Sequence, residues 1–234
     1  MQTASAFKSK LSAFLGPNAK KRFLLMLLGV FGMGFFLSFL IETAYGSDTC
    51  TFMNLPLSAK FGLTFGTWQL CLNIVMLIGV ILMKPKLIGA GTIANMVGIG
   101  YISDFCRWLW ARILPESLFT LQPARSIVFV LALIPFILSI AIYMVADMGL
   151  SPFDALPVIF TEKLGLRFST GRMIWDFAAI GVGLLAGGKL NIGTFLLALT
   201  LGPVVGVVDK FLKKHFLKLD APQNQSDSEQ TASA

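Results

Sequence analysis

Lys60-Phe-Gly-Leu-Thr-Phe-Gly-Thr67 and Lys163-Leu-Gly-Leu-Arg-Phe-Ser-Thr170 carry one pattern at a displacement of 103 positions. The same displacement lays residues 46–73 over 149–176 without a gap, matching Gly46 with Gly149, Gly62 with Gly165 and Leu63 with Leu166. After a one-residue slip Gly91-Thr92 meets Gly193-Thr194, and Gly100 meets Gly202. The chain reads as two related halves, residues 22–112 and 125–216. They are flanked by a basic N-terminal segment 1–21 and a polar, aperiodic tail 217–234 expected to be disordered, and joined by a loop 113–124.

The surroundings of the repeat identify its solvent. Of 234 residues, 56% are hydrophobic and 13% charged, about half the ~25% charge of a soluble domain. The apolar residues lie in long uncharged runs: Phe23–Ile41, Leu63–Met83, Ser126–Ala146 and Leu190–Val208. Each is near the ~20 helical residues that cross a bilayer. Leu87–Ser103, short and glycine-rich but longer if Asp104 and Arg107 sit at the interface, and Phe168–Gly188, which holds Arg172 and Asp176, are less clean and bring the expected crossings to six. The first run is longer than a secretory signal core and is read as a permanent helix. Alternate connecting segments hold thirteen Lys and Arg on one side and five on the other. By the retention of positive residues, both termini are expected in the cytoplasm.

The expected fold is therefore all-α: six transmembrane helices in two three-helix repeats. An odd number of crossings per half gives the repeats inverted topology, an arrangement common in secondary transporters. Between the first and second spans of each half lies a short element. Ser151-Pro152-Phe153-Asp154 is a helix start with a capping serine, proline at the first position and a carboxylate at the third. That helix should run to about Lys163 and stop at Gly165, covering roughly half the hydrocarbon thickness. Its counterpart begins at Asp48, with Thr51 in the place of Asp154, and runs to Lys60. Sequence leaves open whether these helices re-enter the membrane, aiming unpaired N–H groups at a ligand, or lie flat at its surfaces.

Residues 46–54, Phe65-Gly-Thr-Trp-Gln69, Gly91-Thr-Ile-Ala-Asn95, Gly100-Tyr-Ile-Ser-Asp104 and Ser151-Pro-Phe-Asp154 occur in one order. In this the chain resembles the YitT/YczE group of bacterial inner-membrane proteins, over nearly everything between Arg22 and His215. Thr49 stands where the resembled pattern has proline. The resemblance implies a polytopic protein of the bacterial inner membrane and brings no substrate and no catalytic residues.

Ionisable groups within spans cost about 2.5–3.5 kcal/mol each on insertion scales, so they face a cavity, a partner or the interface. Arg172 and Asp176 share a helix face, and their repeat counterparts Gln69 and Asn73 are polar at the same depth. These four are the first candidates for a solute site, with Arg172 drawing an anionic group and Asp176 orienting it or carrying a proton. The alternative is a structural pair with Arg172 snorkelling to the headgroups. Asp154, Thr51 and Asn95 follow as substrate-binding candidates, although capping alone accounts for Asp154 and an interhelical hydrogen bond for Asn95. Glu42 and Asp147 are expected as solvated interfacial carboxylates, and Asp104 as an interfacial one. Gly29, Gly32, Gly34, Gly181 and Gly183 are expected to permit close helix packing.

Cys50, Cys71 and Cys106 form neither a disulfide framework nor a CxxC site, and His215 is the single histidine. With no phosphate loop, metal-ligand cluster or nucleophile–base pair, the sequence predicts neither an enzyme nor a cofactor. The net charge of +7 is spread over terminal and connecting segments, as membrane anchors require, rather than in a nucleic-acid-binding patch. The expected partners are the bilayer, a small solute and coupling ion, with a second copy of the chain as a candidate. The leading expectation is a secondary transporter of a small anionic or zwitterionic solute. The alternative is a membrane scaffold that stabilises or regulates a partner.

Overall fold

The computed structural model describes residues 19–166, 168–191, 193–195, 197 and 198, with backbone alone at 168 and 169. Most of the sixth expected span, most of the basic N-terminal segment and all of the tail lie outside the described residues. The described regular structure is helical: α1 Ala19–Thr43, α2 Thr49–Lys60, α3 Phe65–Met83, α4 Ala90–Ile113, α5 Ser117–Thr120, α6 Ala124–Ala146, α7 Pro152–Leu164 and α8 Phe168–Leu185, with a 3-10 turn at Pro85–Leu87. Helices α1, α3 and α6 are long and apolar enough to cross a membrane. They leave large apolar side chains such as Phe31, Leu82 and Leu131 exposed, which water would penalise and lipid accepts.

Local chemistry sets the helix limits. Thr64 caps α3, its hydroxyl accepting from Thr67 N at 3.2 Å. Gly62 and Gly165, both at φ 63°, close α2 and α7 in the left-handed conformation that glycine adopts without Cβ strain. Helix α4 runs ten residues past the expected end at Ser103, because the charges that mark that end have protein partners. Asp104 accepts from Gly66 N at 2.7 Å, closing an open donor at the start of α3. Arg107 pairs with Glu42 at 2.7 Å. Glu42 is thus a partnered carboxylate rather than a solvated one, and Asp147, although mostly exposed, pairs with Arg22 at 2.9 Å.

Two layers meet. In one, α1 packs against α6 and α4 around Met26, Val30, Leu37 and Phe136. The approach is close because glycine removes the intervening side chain. A Cβ at Gly29 would stand 2.7 Å from Tyr143 N, and one at Gly34 2.7 Å from Ile102 Cβ. In the other layer, α2 packs on α8 and α7 packs on α3, so each short helix rests on a long helix of the opposite half. Gly183 lies against Phe52 of α2, whereas Gly181, expected to serve packing too, has open space where a Cβ would go.

Contacts between the halves come in exchanged pairs. Arg22 Nε donates to Ala146 O at 2.9 Å and Arg125 Nε to Thr43 O at 2.7 Å. Gly91 N donates to Met148 O at 2.8 Å and Gly193 N to Tyr45 O at 3.1 Å. Ala44 and Asp147, 103 positions apart, share the left-handed backbone conformation at φ 48° and 47°.

Candidate functional site

The first turns of α2 and α7 both line one cavity of about 70 Å³ between the two layers. Each turn is closed by its own chemistry. At α2 the Asp48 carboxylate accepts from Thr51 N at 3.2 Å and from Thr51 Oγ1 at 2.7 Å. At α7 Ser151 Oγ accepts from Asp154 N at 3.1 Å and donates to Asp154 Oδ2 at 2.7 Å. Carboxylate and hydroxyl have exchanged places between the two starts, and both carboxylates line the cavity.

Helix α8 supplies the cation. Arg172 Nη1 donates to Asp154 Oδ1 at 2.5 Å and Nε donates to Asp176 Oδ2 at 3.0 Å, tying α8 to α7. The other Asp176 oxygen accepts from Thr49 Oγ1 at 2.6 Å, which ties α8 to α2. The Arg172 guanidinium also stands 5.7 Å from the centre of the Phe153 ring. Such charge-assisted bonds are roughly twice as strong as neutral ones and fix geometry.

To the same cavity, α3 and α4 contribute three amides. Gln69, Asn73 and Asn95 are 5%, 4% and 3% exposed, line the cavity, and make no side-chain hydrogen bond among the described residues. Gln69 Oε1 is fully enclosed and has no partner among the described residues. Buried polar groups in folded proteins are normally paired with protein or ordered water, so three together mark a place built to hold something polar. The remaining wall is hydrocarbon: Met33 and Leu37 of α1, Ile99 of α4, Phe136 and Ile140 of α6.

Of the residues expected from sequence, Arg172, Asp154, Thr51, Gln69, Asn73 and Asn95 line this one cavity. Asp176 is joined to it through Arg172 and Thr49. The guanidinium expected to meet an anionic solute is engaged by two carboxylates. Sequence reasoning identified Asp48 as a cap but did not place it in the site, and it omitted Thr49, Phe153 and the apolar wall. The repeat offered a signal for Asp48, which stands 103 positions before Ser151; the wall offered none, since its residues look like ordinary span residues. Among the described residues no group of three or more His, Cys, Asp or Glu is placed to hold a metal ion.

Comparison with known proteins bears on the family. A family model described as a family of unknown function (DUF6198) matches residues 20–210. The uncharacterized protein YyaS of Bacillus subtilis (strain 168) is 26% identical over 195 residues, covering 81% of this chain and 93% of the relative. The uncharacterized membrane protein YczE of the same strain is 27% identical over 178 residues, covering 76% of this chain and 80% of the relative. An uncharacterized protein of Haemophilus influenzae (strain ATCC 51907 / DSM 11121 / KW20 / Rd) is 24% identical over 182 residues, covering 78% and 79% respectively. No solved structure matches the chain. The match to YczE agrees with the resemblance carried by the sequence motifs.

Proposed function

The chain belongs to DUF6198, a family of unknown function, and from that premise we propose, on the geometry of the cavity, that it is a secondary transporter of a small polar solute. Its two halves are inverted three-span repeats of the bacterial inner membrane with both termini in the cytoplasm. Solute binds between the halves, and rocking of one against the other opens the site to each side in turn. The observation that carries this reading is the cavity itself, where two helix starts, an ion-paired guanidinium and three amides with no side-chain hydrogen bond among the described residues converge.

Two further features support it. Helices α2 and α7 have 12 and 13 residues, about 18–20 Å at 1.5 Å per residue, against a core of about 30 Å. Starting at a common cavity, they reach from the interior to a surface rather than from face to face. The exchanged contacts of Arg22 with Ala146 and Arg125 with Thr43 are what a two-fold relation between inverted halves produces. In an alternating cycle one such latch opens while the other stays closed.

Protein reconstituted in vesicles tests the proposal by exchange of labelled small amines, amino acids and carboxylates across the membrane. At least one class is expected to exchange faster than in protein-free vesicles. Asn73→Leu, which removes a cavity amide at similar volume, should lower that rate by about tenfold or more, the loss expected when a ligand's polar partner is deleted. Rates equal to protein-free vesicles for every class would leave the scaffold as the surviving function.

A further inference from the structure

We infer that the cavity takes a small organic cation, with an ammonium head held between Asp48 and the amides of Asn73, Asn95 and Gln69 and a hydrocarbon body against the α1–α6 wall. The inference takes its location from the proposed site and does not require that the solute be moved.

Charge arithmetic leads to the sign of the ligand. Asp48, Asp154 and Asp176 oppose one guanidinium, Arg172. If all are ionised, the cluster carries a formal −2. The two helix starts at the cavity add about +0.5 each, which leaves the site short of about one positive charge. Arg172 bonds both Asp154 and Asp176, whereas Asp48 has no cationic partner among the described residues, its hydrogen-bond donors being the backbone N–H and hydroxyl of Thr51. Asp48 is therefore the carboxylate left to meet a cation. An anion would meet these carboxylates with the guanidinium already engaged. It would have to displace one of them to gain a salt bridge.

The lining decides what kind of cation. Each buried amide offers a carbonyl oxygen to an N–H donor, and Gln69 Oε1 has none among the described residues. A hard metal ion such as calcium takes six to eight oxygen ligands around it. Here much of the remaining lining is Met33, Leu37, Ile99, Phe136 and Ile140. Oxygens and hydrocarbon in one lining match a ligand with a charged head and an apolar body. Phe136 and Phe153 add aromatic surface of the type that attracts cations. At about 10–15 Å³ per water, a cavity of about 70 Å³ holds about five to seven waters, so the ligand has only a few heavy atoms.

The test uses full-length protein in detergent and three probes of similar size: n-propylammonium, β-alanine and propionate, at matched ionic strength. A ligand of the native state raises apparent melting temperature with concentration. We expect n-propylammonium to do so and propionate to have no effect. Asp48→Asn keeps a side chain that caps helices as well as aspartate and removes the charge. It should weaken n-propylammonium binding by about tenfold or more, as loss of a charged partner does. Asn95→Leu, which leaves the cap untouched, should weaken it as well and serves if Asp48→Asn does not fold. Stabilisation by propionate or β-alanine equal to that by n-propylammonium overturns the inference. So does an equal effect of sodium chloride, or unchanged binding in both variants. Binding without vesicle exchange would leave the cation site standing and remove transport, so the two proposals fail separately.

Discussion

At the scale of single residues, Arg172 is the group on which the site's electrostatics turn. Its side chain is 20% exposed, between Asp176 at 9% and Asp154 at 35%. Removing one member of a buried ion pair costs about 3–5 kcal/mol because the other charge stays buried without compensation, and the partial exposure of Asp154 lowers that figure. Arg172→Met should therefore destabilise the protein by about 3 kcal/mol, read as apparent unfolding free energy in mixed micelles. Adding Asp176→Asn to it should return about 1 kcal/mol or more, because the neutral amide no longer needs the guanidinium. Losses that simply add would show that the two side chains do not depend on one another. The Arg172–Asp176 pair was legible in the sequence, since four-residue spacing puts both on one helix face. Asp154, 18 positions away, and Thr49, 127 positions from Asp176, were not assigned to the pair, since nothing local joins them. Gln69 and Asn73, which line the cavity, were singled out for a different reason: they stand 103 positions before Arg172 and Asp176.

At the scale of elements, the short helices were readable to within a residue, because their limits are set by local chemistry. Asp48, Ser151, Pro152 and Gly165 fix starts and stops without help from the rest of the molecule. Ser151→Ala should accordingly cost about 1 kcal/mol, the usual value of an N-cap hydroxyl, and lower the apparent melting temperature. The far end of α4 was left open for the opposite reason. Asp104 and Arg107 look like an interface in sequence, but Gly66 and Glu42 receive them inside the fold. The glycines of α8 separate propensity from packing in the same way. Gly181 has nothing within 4 Å of a built Cβ, so Gly181→Ala should stabilise the helix by about 0.5–1 kcal/mol. Gly183, two residues on, would place a Cβ 2.7 Å from the Phe52 ring of α2, so Gly183→Ala should cost about 1–3 kcal/mol through overpacking. Thermal unfolding of the two variants should move in opposite directions. A shared direction would mean that α2 does not rest on α8 as described.

At the scale of the whole molecule, the question is how the two halves lie across the bilayer. Helices α2 and α7 begin at the same cavity and end in the exposed residues Lys60 and Lys163. If the halves are inverted, the two helices run from that cavity to opposite faces, and the cavity lies near mid-depth. If the halves are parallel, both helices end on one face, and the cavity is displaced toward the other, where solute would reach it from one side alone. Single cysteines answer this directly once Cys50, Cys71 and Cys106 are replaced, Cys71 being the exposed one that would confuse the readout. Lys60→Cys and Lys163→Cys, labelled in intact cells with a thiol reagent that does not cross membranes, should react oppositely. From the positive-residue count Lys60 is expected outside and Lys163 in the cytoplasm, so the first should label in intact cells and the second only after permeabilisation. Equal labelling would remove the inverted arrangement and with it the alternating mechanism. The cation inference would survive, because the charge balance at Asp48 depends on which residues surround the cavity and not on which side of the membrane it opens.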